Sequence, residues 1–212
     1  MIVFIVSQLN TQAGALALAI KYNGGVVLAS LDKAKSPLVR DICTKKISYL
    51  SDRISIVYAG LAADSRVLIT TAHQCCSQYS NKFGGTSEMP VCALVSELAS
   101  VMQEYTQMAG VRPFGVTLIV AGVDTVDGAG VLLYRIDPSG RYSSWKAVAI
   151  GQGSSIAEEL LEDRFKDDML KEEAIDLAVS VVLSCTEGGT AREDVQVSVI
   201  EDRAQTGAIP NE

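Results

Sequence analysis

Side chains that could act as a catalytic base or bind a metal are sparse in this sequence. His73 is the only histidine, and it lies between Ala72 and Gln74 in a segment with helical spacing. Relay triads and metal clusters usually draw on histidine, and without a second one they lose their commonest base or ligand. The sequence therefore predicts a surface or packing role for His73, and we expect no metal and no cofactor.

Two further groups of candidate residues have simple explanations. No Gly-Lys-Ser/Thr follows a strand and opens a helix, so the glycines form no phosphate loop. Gly151-Gln152-Gly153-Ser154 precedes a helical pattern and could hold an anion weakly, but a turn is the simpler interpretation. A solvated helix face explains a run of acidic residues without any acid–base pair. That run comprises Glu158, Glu159, Glu162, Asp163, Asp167 and Asp168.

Length, composition and charge indicate one globular domain. The chain has 212 residues, of which 48% are apolar and 20% charged, and a formal net charge of -7. Its lysines and arginines are scattered and form no basic stripe, which argues against a nucleic-acid partner. Met1–Val6 is too short for the core of a signal peptide and no run approaches a membrane span, so we expect no membrane contact.

The cysteines are typical of a reducing compartment. They are odd in number, show no CxxC spacing, and lie mostly in apolar periodic segments. We expect neither a disulfide nor a zinc site, and buried thiols instead. The five are Cys43, Cys75, Cys76, Cys92 and Cys185.

Hydrophobic periodicity gives the order of the elements that must position any site. Short apolar runs predict strands, and apolar residues at helical spacing predict four helices in two consecutive pairs. The strands are expected at Ala15–Ile20, Gly25–Ala29, Ile54–Ala59, Val116–Ala121, Val131–Ile136, around Tyr142–Trp145, at Ala147–Ile150 and at Val195–Val199. The helices are expected from Asp64 to Tyr79, Val91 to Tyr105, Ala157 to Phe165, and Ala174 to an end at Gly188-Gly189.

This order of elements predicts an α+β fold. Strands come first, then a helix pair, more strands, a second helix pair and a last strand. Such an order is expected when helices cover both outer faces of two stacked, mainly antiparallel sheets. The sequence therefore predicts a four-layer αββα sandwich.

Several sequence motifs resemble those of α-type proteasome subunits. Val101–Gln107 followed by Gly110–Val116 (GVRPFGV) is similar to the segment that joins the second helix to the central strands in that family. Further matching motifs follow in order and spacing, and the resemblance runs from about Gly14 to Val199. These motifs are Asp137–Gly140, Trp145–Ala147, Ala149–Gly151, Leu160–Glu162 and Glu172–Ile175.

The resemblance implies the fold of N-terminal-nucleophile hydrolases without their catalysis. In catalytic relatives a threonine that opens the first strand supplies both nucleophile and base. Laying Gly25–Ala29 on the corresponding strand puts Ala15 at that position, and alanine has no hydroxyl. Thr11 lies four residues too early. A self-processing hydrolase and an unrelated small-molecule-binding sandwich are the alternatives to a non-catalytic subunit.

The resemblance also implies partners. Family members form a seven-membered α ring stacked on β-ring subunits, and act in ubiquitin-dependent protein degradation in the cytoplasm and, in eukaryotes, the nucleus. Pockets between neighbouring α subunits receive the C-terminal tails of activators and regulatory ATPases. The pocket residues correspond to Gly14, Lys46 and Leu61 in this chain. Each also has an ordinary alternative: a strand-entry kink, an exposed lysine and a core leucine.

The turn motif has a physical explanation of its own. Pro113 donates no backbone hydrogen bond and biases Arg112 to extended backbone, while Gly110 can adopt positive φ. Together with Gly115 they predict a helix-to-strand turn. Arg112 is expected to brace this turn by bonding local carbonyls, or else to contact a neighbouring subunit.

The two ends of the chain depart from the family pattern. Residues 1–13 are interpreted as a remnant of the first helix, without the gate segment that precedes it in the family. Residues 203–212 stand where the family has a C-terminal helix, and we expect them to form a flexible tail. A role for this subunit in closing the pore is therefore in doubt.

Overall fold

A computed structural model of the chain describes residues 9–31, 45–85, 87–124, 130–186 and 192–202, apart from the side chain of residue 193. The expectations for residues 1–8, the tail 203–212 and Cys43 lie outside this part of the chain. Within it, none of the helices combines the length and the apolar character that crossing a membrane requires.

Two antiparallel sheets form the centre of the molecule. Sheet A has the order β8-β1-β2-β9, and sheet B the order β3-β4-β5-β6-β7. The strands of sheet A are β1 (Ala17–Tyr22), β2 (Gly25–Leu31), β8 (Ala147–Ile150) and β9 (Val195–Glu201). Those of sheet B are β3 (Ile47–Tyr49), β4 (Ile54–Gly60), β5 (Val116–Asp124), β6 (Gly130–Ile136) and β7 (Tyr142–Ser144).

Four helices cover the outer faces of the sheets. Helices α1 (Ala62–Lys82) and α2 (Val91–Gln107) pack on sheet B, and α3 (Ser154–Arg164) and α4 (Lys171–Cys185) pack on sheet A. A third apolar core lies between the two sheets. Three cores between four layers confirm the predicted αββα sandwich.

Burial on both faces explains why the central strands are nearly uniform apolar runs. In β2, Val27 faces the helices of its own side, whereas Val26 and Leu28 face the other sheet. All nine residues of β5 are buried. A strand covered on both faces has no solvent side, so it lacks the alternation of a half-exposed strand.

The structure corrects two element predictions. Strand β3, of only three residues, was not predicted, since Ile47–Tyr49 is too short to show a period. Helix α4 ends at Cys185 rather than at Gly188-Gly189, because Thr186 is extended (φ -105°, ψ 119°) and its hydroxyl donates to the Val182 carbonyl at 2.6 Å. The other predicted elements are present, most of them with shifted ends, and β8 has the predicted bounds Ala147–Ile150.

Candidate functional site

The chain segment before β1 packs directly onto the end of β4. A Cβ atom built on Gly14 would lie 2.2 Å from the backbone nitrogen of Gly60. Only glycine permits this separation without movement of the main chain. The space that Gly14 leaves is therefore filled by the chain itself, and this contact joins sheet A to sheet B.

A second close approach lies beside the first. Gly60 has φ 122°, and a Cβ there would lie 2.2 Å from the carbonyl oxygen of Gly115. That oxygen accepts a hydrogen bond from the Leu61 N–H at 3.0 Å. We name Gly14, Gly60 and Gly115 the glycine junction. Leu61, which is 39% exposed, packs over it, with its Cδ1 3.0 Å from a Cβ built on Gly115.

An ion pair fixes the outer side of the glycine junction. Asp64, in the first turn of α1, is only 7% exposed and accepts two hydrogen bonds from Arg112, Nη1 to Oδ2 at 2.6 Å and Nη2 to Oδ1 at 2.7 Å. The Gly115 N–H donates to the same carboxylate at 2.9 Å. Arg112 Nη1 also donates to the Pro113 carbonyl at 3.2 Å. Arg112 thus braces its own turn against the start of α1.

Opposing effects act on the carboxyl group of Asp64. Burial would raise its pKa, but hydrogen bonds from Arg112 and from the Gly115 N–H, with the positive charge of Arg112, more than offset burial. The pKa of Asp64 therefore lies below its ordinary value, and the carboxylate stays charged at neutral pH. A bidentate arginine–carboxylate pair holds its geometry better than a lysine pair.

Lys46 lies at the same end of sheet B as the glycine junction. Strand β3 is antiparallel to β4, with Ile47 opposite Val57. Extending this register by one residue places Lys46 beside Tyr58, two residues before Gly60. The structure thus brings the predicted pocket residues and the predicted turn residues to one end of the molecule.

Ala15, at the position of the catalytic threonine in catalytic relatives, lies just before β1. Ala15 is partly buried, and the preceding residues 9–12 form a helical turn. Thr11 is 7% exposed, and its carbonyl accepts from the Gly14 N–H at 3.4 Å. The nitrogen of Ala15 is thus part of a continuous, packed chain rather than a free amine, which this class of catalysis requires as its base.

The glycine-rich segment before α3 acts in packing. Gln152 N–H donates to the Gly14 carbonyl at 2.7 Å, and a Cβ on Gly151 would lie 2.7 Å from the Gly14 and Ala15 carbonyl oxygens. The turn interpretation is the one that these contacts support. Of the six acidic residues singled out near α3, Glu158 is half-buried and bonds Arg135 at 3.4 Å, and the others are exposed, as predicted for a solvated face.

Comparison with known proteins gives the family. A family model described as proteasome subunit matches residues 11–200. The chain belongs to the proteasome subunit family. It is 40% identical over 188 residues to proteasome subunit alpha type-2-A of Arabidopsis thaliana, covering 89% of this chain and 78% of that protein.

Two further relatives agree with this placement in the family. The alpha type-2 subunit of Dictyostelium discoideum is 42% identical over 188 residues, with 89% of this chain and 78% of that protein covered. The alpha type-2 subunit of Saccharomyces cerevisiae is 40% identical over 190 residues, with 89% and 74% covered. The resemblance drawn from the sequence motifs is confirmed, and so is its α-type character.

Sequence reasoning missed the role of two residues in this family member. Asp64 was treated only as the start of a helical pattern, and Gly60 was not singled out. An acidic residue in the first turn of a helix is a recognisable signal, because it complements the helix dipole. Its pairing with Arg112, 48 residues later, has no local signal.

Proposed function

We propose that the chain is a non-catalytic α-ring subunit of a proteasome core particle, where it contributes to ring assembly, regulator docking and substrate entry. The observation that carries this proposal is Ala15, two residues before β1 and preceded by a packed helical turn. With neither a hydroxyl nor a free amine, that position supports no threonine-type hydrolysis. The fold then serves as a scaffold, and β-ring subunits supply proteolysis.

The proposed docking pocket comprises Gly14, Lys46 and Leu61. Leu61 offers a partly exposed apolar wall, and Lys46 lies at the same end of sheet B. The ammonium of Lys46 pairs with the terminal carboxylate of a partner's tail, and an apolar tail residue packs on Leu61. Because Gly60 fills the space at Gly14, Gly14 contributes by setting the position of the backbone rather than by leaving room for the tail.

The cellular location of the subunit is part of the same proposal. Cys75, Cys76, Cys92 and Cys185 are free thiols, and burial raises the pKa of Cys75, Cys76 and Cys185, which lowers their reactivity. Free thiols suit a reducing compartment. We propose that the subunit works in the cytoplasm and the nucleus, with other α subunits, β subunits and the tails of regulatory ATPases as partners.

Assembly tests the scaffold function. We expect the purified chain to form a ring, or to enter one with other α subunits, and to join β subunits in a particle that cleaves peptides only when they are present. Native mass spectrometry gives intact mass and assembly size together, and a fluorogenic peptide reports activity. A monomer that loses its first residues and hydrolyses the peptide unaided would instead establish the self-processing alternative.

Restoring a hydroxyl at the catalytic position should not restore catalysis. We expect Ala15→Thr to show no peptide hydrolysis above the unmodified chain, because the new residue would still lie inside the continuous chain, without a free amine. Intact mass should show no cleavage before residue 15. Hydrolysis by Ala15→Thr together with loss of residues 1–14 would contradict this expectation.

The docking pocket is tested separately, in the assembled particle. We expect Lys46→Ala to weaken binding of a tail peptide with a free terminal carboxylate by about tenfold or more, the loss of one charged hydrogen bond. Binding of the amidated peptide should be weak and unchanged. Lys166→Ala, which removes an exposed lysine elsewhere, is the matched control. Equal binding of the free-acid peptide by Lys46→Ala and Lys166→Ala would refute the pocket but not the scaffold function.

A further inference from the structure

A groove of about 670 Å³ runs between β3 and the N-terminal half of α1. Tyr58 and Ile69 form its apolar base, and both of its sides carry basic or hydroxyl side chains. Arg66, Thr70 and His73 follow the spacing of one helix face, so α1 presents them together. We name this the β3–α1 groove.

The charge of the β3–α1 groove is opposite to that of the chain. Lys45 and Arg66 line it and are both exposed. Among the residues that the structure describes, no carboxylate forms an ion pair with either of them. Asp64, the acidic residue of the same helix turn, is already held by Arg112 and Gly115. Within the described residues, Lys45 and Arg66 are thus two positive charges without an ion pair, on a chain of net charge -7.

The backbone beside the groove can also take part in binding. Strand β3 is at the edge of sheet B and pairs only with β4 in the described part of the chain. An edge strand exposes N–H and C=O groups that an extended segment can pair with. In such a segment every second side chain points to the same face. Those side chains would reach Lys45 on one side and Arg66 on the other.

We propose that the β3–α1 groove binds an extended acidic segment of a partner protein. Alternate carboxylates of the segment pair with Lys45 and Arg66, and the segment's backbone adds to the edge of β3 that faces away from β4. The hydroxyl of Ser48, which also lines the groove, can donate to a carboxylate oxygen that the cations leave open. A nucleic acid fits less well, because the chain as a whole carries a net charge of -7, which repels a long polyanion. This surface does not depend on the tail-docking pocket of the proposed function.

Peptide binding to the full chain tests the proposal. A labelled, amidated peptide of alternating glutamate and valine is measured by fluorescence anisotropy, beside the same peptide with lysine in place of glutamate. We expect only the acidic peptide to bind, and binding to weaken as salt is raised. Arg66→Glu and Lys45→Glu should each weaken it by about tenfold, since each replaces an attraction by a repulsion. Lys82→Glu, at the far end of the same helix, makes the same charge change and should leave binding intact.

Two further measurements decide between the alternatives. Hydrogen exchange of the β3 amides should slow when the acidic peptide binds, as strand addition requires. Unchanged exchange at Ile47–Tyr49, equal binding of the acidic and basic peptides, or equal loss in Arg66→Glu and Lys82→Glu would overturn the proposal. So would tighter binding of a single-stranded oligonucleotide that Arg66→Glu abolishes, because the surface would then be a nucleic-acid site. The amidated peptide has no terminal carboxylate, so failure here leaves the tail-docking pocket untouched.

Discussion

Gly14→Ala is expected to destabilise the chain by ~2–3 kcal/mol, the upper part of the range for overpacking a close contact. The added methyl group would lie 2.2 Å from the Gly60 nitrogen and 3.0 Å from the Ala59 carbonyl carbon. Both are main-chain atoms, so no side-chain rotation can relieve the clash. The end of β4 must instead move away from the segment that leads into β1. For a chain of this length we expect a Tm lower by about 4–12 °C, measured by circular dichroism.

Gly110→Ala is a suitable control for Gly14→Ala. Gly110 has φ 87° and nothing within 4 Å of its Cβ position, so its replacement costs backbone strain without a clash. At Gly14 an added Cβ clashes with the main chain, but the backbone is not strained, since its φ lies outside the left-handed region. A Gly14→Ala chain as stable as the unmodified one would show that the close approach is not required. Lost tail binding at unchanged stability would instead make Gly14 a direct contact of the tail.

Most of the fold could be predicted from turn residues and from the periodic spacing of apolar residues. The helix pairs show clear spacing, as in Leu94, Leu98 and Met102 of α2, all fully buried. Strands β4 and β5 are long apolar runs between turn residues, because each is covered on both faces. Strand β3 escaped prediction because three residues carry no period, and its place in the sheet is decided by pairing with β4.

The candidate site was only partly predictable, because its defining contacts join distant residues. The motifs pointed to Gly14, Leu61 and Arg112 one by one, but no local pattern says that Gly14 meets Gly60 or that Gly60 meets Gly115. The family resemblance supplied the positions without their packing. The same holds for Asp64: charge complementarity suggests that Arg112 needs an acid, but the fold alone selects which one.

Arg112→Ala is expected to cost ~2–3 kcal/mol, although the Arg112 side chain is 56% exposed. The loss arises from its partner: Asp64 remains buried and charged, with only the Gly115 N–H to bond. Removing one member of a fully buried pair costs ~3–5 kcal/mol, and solvent access to Arg112 lowers that figure. Arg141→Ala removes an exposed arginine for which the structure records only backbone hydrogen bonds, and it should change stability by less than ~0.5 kcal/mol. Chemical denaturation at neutral pH measures both.

The pH dependence separates this mechanism from a simple loss of packing. In the unmodified chain the pKa of Asp64 lies below its ordinary value of 3.8, so its contribution to stability is present above pH 3.8 and is lost as pH falls through the lowered pKa. In Arg112→Ala, burial, the largest single effect, is opposed only by the Gly115 hydrogen bond, so we expect the pKa of Asp64 to rise above 3.8. The unfavourable buried charge is then neutralised as pH falls, and the stability deficit relative to the unmodified chain should shrink toward acid pH. A deficit that stays constant with pH would mean that the side chain of Arg112 acts through packing alone.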